Sequence, residues 1–554
     1  MKNIKFILII FLFGSIFESC SDSLLDLKQP INPSSSTFYT DTLTAYQGLV
    51  GCYNSLQQIP GGGVLKYMEM ETRTDDQDYG GNPKAKSEET NYYEAAGFAN
   101  FEIFTDNPFS SDIWGYSYAG INVVNQYLNS LSQLSLKTPK EISLLANYRA
   151  TALVIRSYYY FLLVKNFGDV PLITSLLPQS EWYIQRRSPE KDIYAQIFKD
   201  LGEAIPLIPA KSSKDISKAF SISKGAAQTI LAKALVTSAG VDASSPNWQE
   251  AYTLCKTVED SKLYDLKSDI TKVFTVDGQY YTNEHMLDIV FEEKINGEGE
   301  QFIHFLSPRY VFINGKPDQS QKLVLGFGIL PVTQDLASDY GYTPSNLYTP
   351  AANTADSTMW ANLNDARGRS TFWTRWDKYL GYNVVDNLNN RPETKNPDSN
   401  DDGCYYLRKY SRESKGIQYY TAGANLHIIR YPEVLLLGAE AAYYTNKPSE
   451  ALRLVNLVRE RAFRAAIAAG RVTLADISIN SSGLALLADI WRERRLEFAG
   501  EGDRYYDLKR TNRLYDVLTK QKSAVPFING KHELLPIPVG ELLKATNITQ
   551  NPGY

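Results

Sequence analysis

Four cysteines and four histidines are spread through 554 residues. A chain this long with so few of either has no disulfide framework and no Cys/His array of zinc-finger type. Cys52, Cys255 and Cys404 lie far apart and show no metal-ligand spacing. His285, His304, His427 and His532 are equally isolated along the chain, so core or surface histidines are expected and no metal site is assigned. Basic excess is also missing: 57 Lys and Arg stand against 62 Asp and Glu. Without a basic stripe, a nucleic-acid partner is not expected. Gly326-Phe327-Gly328 is a glycine pair without the rest of a phosphate-binding loop, so no nucleotide site follows.

Long apolar runs are missing too, with one short exception at the start. Lys2 and Lys5 precede the stretch Phe6 to Phe17, interrupted only by Gly14 and Ser15. Twelve residues are too few to span a bilayer and suit the apolar region of a signal peptide. The run ends at Glu18-Ser19-Cys20, and a cysteine in that place resembles a bacterial lipoprotein cleavage site. Residues 1–19 are therefore read as a signal peptide and Cys20 as the lipidated residue. Residues 20–40, with Pro30, Pro33 and Ser34-Ser35-Ser36, read as a polar tether. Several acyl chains on Cys20 would anchor the protein stably, where a single chain binds only marginally.

What the chain does have is a folded composition, 43% hydrophobic and 21% charged, with 38 tyrosines. Helix cores explain most tyrosines; a surface that stacks on ring-shaped ligands is the sharper reading. The length calls for more than one core or an extended array. Asp41 caps a helix to about Gln58, with Leu43, Tyr46, Leu49 and Tyr53 near one face and Gly61-Gly62-Gly63 ending it. Helical pattern recurs over 112–134, 141–167, 189–207 (Ser188 as cap, Pro189 in the first turn), 222–239 and 247–260. Helical pairs in series imply a TPR-like stack. From about 263 to 430 the texture turns to loops, with a short alternating strand at Leu287, Ile289 and Phe291. Helices return over 433–444, 449–468 and 485–499. The fold class is mainly α: a TPR-like helical-pair scaffold with long irregular loops and a few short strands carrying the ligand site. Boundaries are set at 41–262 and 263–554.

The most charge-dense stretch is RRLEFAGEGDRYYDLKR, Arg494 to Arg510. Glu497 and Glu501 are one helical turn apart, the spacing at which two carboxylates share a face. A glycoside hydrolase would need one of them protonated, its pKa raised by an apolar or like-charged setting. Five cations within the same 17 residues oppose that, so an ion-pair network is expected. Gly500 and Gly502 place Glu501 and Asp503 on a turn. Asp398-Ser-Asn400-Asp-Asp402-Gly403 copies the first half of an EF-hand loop, but Lys409 stands where the bidentate Glu belongs. An acidic loop is expected there, and calcium is the one cofactor the sequence raises.

Several blocks resemble one family in the right order. RATALVIRSYYYFLLVKNFGDVPLIT (149–174), AKALVTSAG with the helix after it (232–266), and IRYPEVLLLGAEAAYYTN with ALRLVNLVRERA (429–462) are three. RERRLEFAGEGDRYYDLKR (492–510) and LLPIPVGELLKATNITQNPGY (534–554) complete them. Together with the Cys20 signal they resemble the SusD/RagB family over nearly the whole chain. The resemblance implies an outer-membrane lipoprotein of a Bacteroidetes-type bacterium, facing the cell exterior. It would act without catalysis as the lid of a SusC-like TonB-dependent transporter, most often capturing a glycan; a RagB-like branch captures peptides. The matching ligand region follows the first helix. Here it offers Arg73, Asp75, Asp76, Tyr79, Asn82, Tyr92 and Tyr93, with Trp360 and Tyr310 as candidates from a second segment. Trp114 lies in a helical block and is expected in the core.

Overall fold

The computed structural model describes residues 38–77, 97–135, 138–210, 221–275, 282–292, 312–313, 316–317, 331–341, 364–373, 378–379, 382–383, 405–409, 423–521 and 527–554. Its scaffold helices are α1 (Thr42–Glu69), α2 (Pro108–Ser132), α3 (Pro139–Phe167), α4 (Glu190–Leu207), α5 (Lys224–Ala239) and α6 (Asn247–Asp260). Further along come α7 (Gln334–Asp339), α8 (Tyr431–Tyr444), α9 (Pro448–Ala468), α10 (Gly483–Phe498) and α11 (Arg504–Arg510). The strands used below are β1 (Val170–Pro171), β2 (Arg187–Ser188), β3 (His285–Ile289), β4 (Pro331–Val332), β5 (Phe372–Trp373), β6 (Tyr405–Leu407) and β7 (Leu426–Arg430).

Local signals start and stop the helices much as the sequence implies. Asp41 accepts the Thr44 N–H at 2.8 Å and opens α1. Thr138 and Glu141 form a reciprocal capping box at the head of α3, and Gly168 ends it at φ 68°. Ser223 caps α5 through the Ala226 N–H. At α4 the expectation is corrected. Ser188 pairs with Val170 in the β1–β2 ladder, and Asp169 Oδ1 accepts the Glu190 N–H at 2.8 Å in its place. The turn that stops α3 thus also starts α4.

Two further readings of α1 are corrected. The helix runs through Gly61-Gly62-Gly63 to Glu69. Each glycine costs about 1 kcal/mol relative to alanine, which a helix already packed along its first turns on α2 and α3 tolerates. Its buried face is Ala45, Leu49, Cys52 and Leu56, while Leu43 and Tyr46 are 64% and 50% exposed. The core stripe is rotated because two helices, α2 and α3, bracket α1 on that side.

Neighbours in sequence are neighbours in space. α2 lies on α1 and α3, α3 on α4, α4 on α5, and α5 on α6. The array does not stop at residue 262: α6 lies against α8, α8 against α9, and both against α10. α3 is the central rod, with every residue from Ala150 to Phe167 buried except Tyr158, as an all-round apolar helix must be. Trp114, Tyr127, Tyr159 and Tyr160 are core residues, so many tyrosines serve helix interfaces. Gly120 is required by one such ring, since a Cβ there would lie 2.1 Å from Tyr159 Cζ. Strands are short. β6 is central to β4–β6–β5, and β3 pairs antiparallel with β7, which leads directly into α8.

Candidate functional site

The charged stretch 494–510 folds as the end of α10, a two-glycine turn and α11. Gly500 and Gly502 take φ of 76° and 86°, the left-handed conformation that glycine adopts without cost. At Gly500 the Leu407 side chain of β6 lies within 2.6 Å of where a Cβ would be, so the turn needs glycine twice over. Glu501 and Asp503 sit on this turn as the sequence implies.

Every charged side chain of the stretch is engaged. Glu497 accepts from Arg430 Nη1 at 2.9 Å and from Arg461, with Arg367 Nη1 at 3.5 Å from its second oxygen. Glu501 accepts from Lys409 Nζ at 2.7 Å and from Arg430 Nη2 and Nε at 2.7 and 2.8 Å. Glu284 completes this hub by holding Arg430 and Arg461. On the far side, Asp507 joins Arg494 and Arg510, Arg510 reaches Glu440 of α8 at 2.7 Å, and Asp503 holds Lys233 of α5 at 2.8 Å. Lys509 donates to the Lys165 carbonyl of α3 at 2.8 Å. The stretch is a spline that ties α3, α5, α8 and β7 together.

Burial would raise the Glu497 carboxyl, but Arg461, Arg430 and Arg367 outweigh it and hold the group at about 2. Glu501 is lowered against the same burial penalty by Arg430 and Lys409. Both are ionised at neutral pH, and neither has a proton to give. An ion-pair network forms as expected, but the cations on Glu497 and Glu501 are Arg367, Lys409, Arg430 and Arg461 rather than the five of the stretch. Neither carboxyl has the raised pKa a general acid needs. Lys409, which takes the twelfth position of the EF-hand-like segment, is committed to this hub; residues 398–404 lie outside the described residues.

The same stretch decides the fate of three ligand candidates. Arg73, Asp75 and Asp76 are 1%, 2% and 0% exposed. They are expected on a ligand face and are found inside. Arg504 grips Asp75 through Nε at 2.9 Å and Nη2 at 2.6 Å. Arg495 donates to Asp76 at 2.7 Å and also holds Asp335 and Asp339 of α7, at 2.7 and 2.9 Å. Arg73 lies 3.8 Å over the Tyr505 ring. Burial opposes the Asp75 charge, yet Arg504 and Arg495 hold it at about 2. Burial and then the neighbouring Asp75 charge push Asp76 up against the same guanidinium groups. Glu71, buried beside Asp76, is pushed well above the carboxylate range.

These contacts make 71–77 a fixed root. Thr333 donates to the Asp75 and Asp76 carbonyls through its hydroxyl and its N–H, and Gln77 bridges Val332 of β4. The chain then leaves into 78–96. Tyr79, Asn82, Tyr92 and Tyr93, like Tyr310, Trp360 and Cys20, lie outside the described residues.

The sequence did not bring His285 and His427 together, 142 positions apart. In the structure they flank Asp288 across the β3–β7 ladder, all three buried. No spacing rule could find the cluster, because its members come from strands paired only in the fold. Cys52 and Cys255 are buried free thiols, and burial pushes Cys52 up to about 12. Among the described residues no helix is long and apolar enough to cross a membrane.

Comparison with known proteins points one way. Residues 304–554 match the profile described as "SusD family", and residues 25–235 match one described as "Starch-binding associating with outer membrane". A SusD-like protein of Formosa agariphila is 26% identical over 465 residues, covering 82% of this chain and 83% of its own. A second from the same organism is 24% identical over 98% of this chain and 97% of its own. Among solved structures, a laminarin-binding SusD-like protein superposes with a TM-score of 0.71 at 24% identity, covering 93% of this chain and all of that one. A SusD homologue from Bacteroides thetaiotaomicron gives 0.75 at 19% identity, over 94% and 98%.

Proposed function

The chain belongs to the SusD/RagB family, and from that premise we propose that it is a cell-surface glycan-binding lipoprotein, without catalysis, that hands oligosaccharide or polysaccharide to a SusC-like TonB-dependent transporter. The observation that carries this reading is the match of residues 25–235 to a starch-binding, outer-membrane-associated profile, continued by the family's C-terminal half. The short apolar run ending at Cys20 supports a lipid anchor in the outer membrane as the sole membrane attachment. The absence of catalysis is supported by the carboxylates of α10: Glu497 and Glu501 are buried and ionised, and each is shared between cations.

The proposed ligand face is the excursion after residue 77, with Tyr79, Tyr92 and Tyr93 as stacking rings and Trp360 and Tyr310 contributed from the second segment. Sugar rings present apolar C–H faces to aromatic side chains, while amides such as Asn82 pair with hydroxyls. Arg73, Asp75 and Asp76 act one step back, fixing the root from which that excursion leaves.

Affinity electrophoresis of the full chain against a polysaccharide panel including laminarin, followed by calorimetry, tests the reading. Retardation by at least one glycan is expected, and Tyr92→Ala or Trp360→Ala should weaken it about tenfold, the loss of one stacking contact. A blank across the panel with tight binding of a peptide library would assign the chain to peptide capture. Release of new reducing ends from any glycan would overturn the non-catalytic part.

A further inference from the structure

β3 and β7 carry a side-chain cluster that glycan capture does not use. They run antiparallel, with Asp288 opposite His427 and His285 opposite Arg430. In a regular strand, residues three apart point to opposite faces, so His285 and Asp288 would diverge. This ladder is irregular in both strands. The register slips between His427 and Ile429, which leaves Ile428 as an extra residue in β7, and again between Ile429 and Arg430, which leaves Met286 as an extra residue in β3. Bulges of this kind re-aim side chains and recur beside functional sites. Here they turn two imidazoles and one carboxylate into the same space, with their ligand atoms all within 4.8 Å of one another.

We propose that His285, Asp288 and His427 form a structural site for a divalent transition-metal ion, zinc foremost, that clasps β3 to β7. Two imidazole nitrogens and one carboxylate oxygen are a borderline N/O donor set of the kind zinc takes, and one that hard, oxygen-seeking calcium does not favour. His427 Nδ1 is 2.9 Å from Asp288 Oδ1, and His285 Nδ1 is 3.7 Å from Asp288 Oδ2. Zinc bonds of about 2.0–2.1 Å set tetrahedral ligand edges at roughly 3.3 Å, and each imidazole nitrogen lies within about 0.4 Å of that spacing from one of the two Asp288 oxygens. The imidazoles stack with centroids 3.9 Å apart and planes 21° off parallel. All three side chains are about 1% exposed, and the Phe274 ring packs 5.4 Å from His427. A site so enclosed is filled as the strands pair, and metal binding then adds to folding. Its place in the fold fits a clasp: Arg430, the end of β7, is the centre of the Glu284–Glu497–Glu501 hub and the doorway to α8.

The full chain, made without a histidine tag in zinc-supplemented medium, should carry about one zinc per chain through gel filtration, read by elemental mass spectrometry. Cobalt in place of zinc should give the visible absorption of a tetrahedral site. His427→Gln and Asp288→Asn should each lower zinc content at least tenfold, while His304→Ala leaves it unchanged. A chelator present during refolding should lower the melting temperature of the parent and not that of His427→Gln. Folded parent chain that holds no zinc overturns the proposal without recourse to any variant. So does zinc that persists at full stoichiometry in folded His427→Gln.

Discussion

Arg504 closes two nitrogens of its guanidinium on the carboxylate of Asp75, 429 positions earlier in the chain, at 2.9 and 2.6 Å. A bidentate pair of this kind fixes orientation as well as distance. It couples the turn at Gly500–Asp503 to the root from which residues 78–96 leave. Arg495 donates a single bond through Nε to Asp76, one residue along, and adds α7 through Asp335 and Asp339. The segment after the first helix is therefore held by the C-terminal half of the protein.

Asp75→Ala and Arg504→Ala should each cost up to about 3–5 kcal/mol of stability, because each removes the bidentate partner of a buried charge, although Arg495 Nη2 stays 3.0 Å from Asp75 when Arg504 is lost. The double substitution should cost far less than the sum of the two. A urea-denaturation double-mutant cycle measures the coupling, and additive losses would show that the pair does not act as a unit. Glycan affinity should also fall in both single variants, although neither residue is exposed.

Glu497→Gln separates scaffold from catalysis. The substitution leaves Arg430 and Arg461 short of a counter-charge in a buried hub, and a loss of about 3–5 kcal/mol is expected in denaturant unfolding. Glycan binding of the folded variant should be near that of the parent. A folded variant of parental stability, together with hydrolysis seen only in the parent, would return the hydrolase reading.

These two cases mark how far the sequence could be read. That 494–510 is an ion-pair segment was legible from its density of both charge signs. The cations that keep Glu497 and Glu501 ionised, Arg367, Lys409, Arg430 and Arg461, come from outside it, whereas Asp507 is held by Arg494 and Arg510 of the stretch itself. The caps and stops at Asp41, Gly168 and Gly500 were legible because they act within one turn, whereas Ser188 and Gly61-Gly62-Gly63 had the right residue types and neither capped nor stopped a helix. Arg73, Asp75 and Asp76 were not, since a short acid-and-arginine segment reads alike whether it faces a sugar or a buried guanidinium. What decides between them lies more than 400 residues away. The buried face of α1 depended on which side α2 and α3 occupy, and the His285–Asp288–His427 cluster on a strand pairing with two bulges. None of these is a property of a window of sequence.

Acid should unfold the protein in a defined window. Asp75 and Glu497 are held at about 2 in the fold, against about 4 in an unfolded chain. A depressed carboxyl contributes stability that is fully present above its unfolded pKa and is lost as pH falls through the folded one. Stability should therefore drop between about pH 4 and pH 2, by about 2 kcal/mol for each such group. Glu71 behaves in the opposite sense. Burial and the Asp76 charge keep it protonated in the fold, so it opposes stability as pH rises above its unfolded value. Glu71→Gln, which keeps an oxygen for the Arg504 N–H, should raise the melting temperature at pH 8 and leave it unchanged at pH 3. A Glu71→Gln variant less stable than the parent at pH 8 would show that the carboxyl is ionised there.

The last prediction uses two glycines of one helix. Gly115 and Gly120 both lie within α2, where glycine costs about 1 kcal/mol relative to alanine. A Cβ at Gly115 would meet nothing within 4 Å, so Gly115→Ala should stabilise the protein by about that amount. A Cβ at Gly120 would lie 2.1 Å from Cζ of Tyr159, whose hydroxyl is tied to Ser55 at 2.7 Å and cannot move aside freely. The same substitution there should destabilise by about 1–3 kcal/mol through overpacking, in spite of the propensity gain. Removing the ring in Tyr159→Leu should relieve that penalty, so that Gly120→Ala costs less when combined with Tyr159→Leu than it does in the parent. Thermal unfolding of the four variants and the parent reads both signs. If Gly120→Ala stabilises as Gly115→Ala does, the helix interface at Tyr159 is not closely packed, and the case for tyrosine as the core residue of this scaffold fails at its tightest contact.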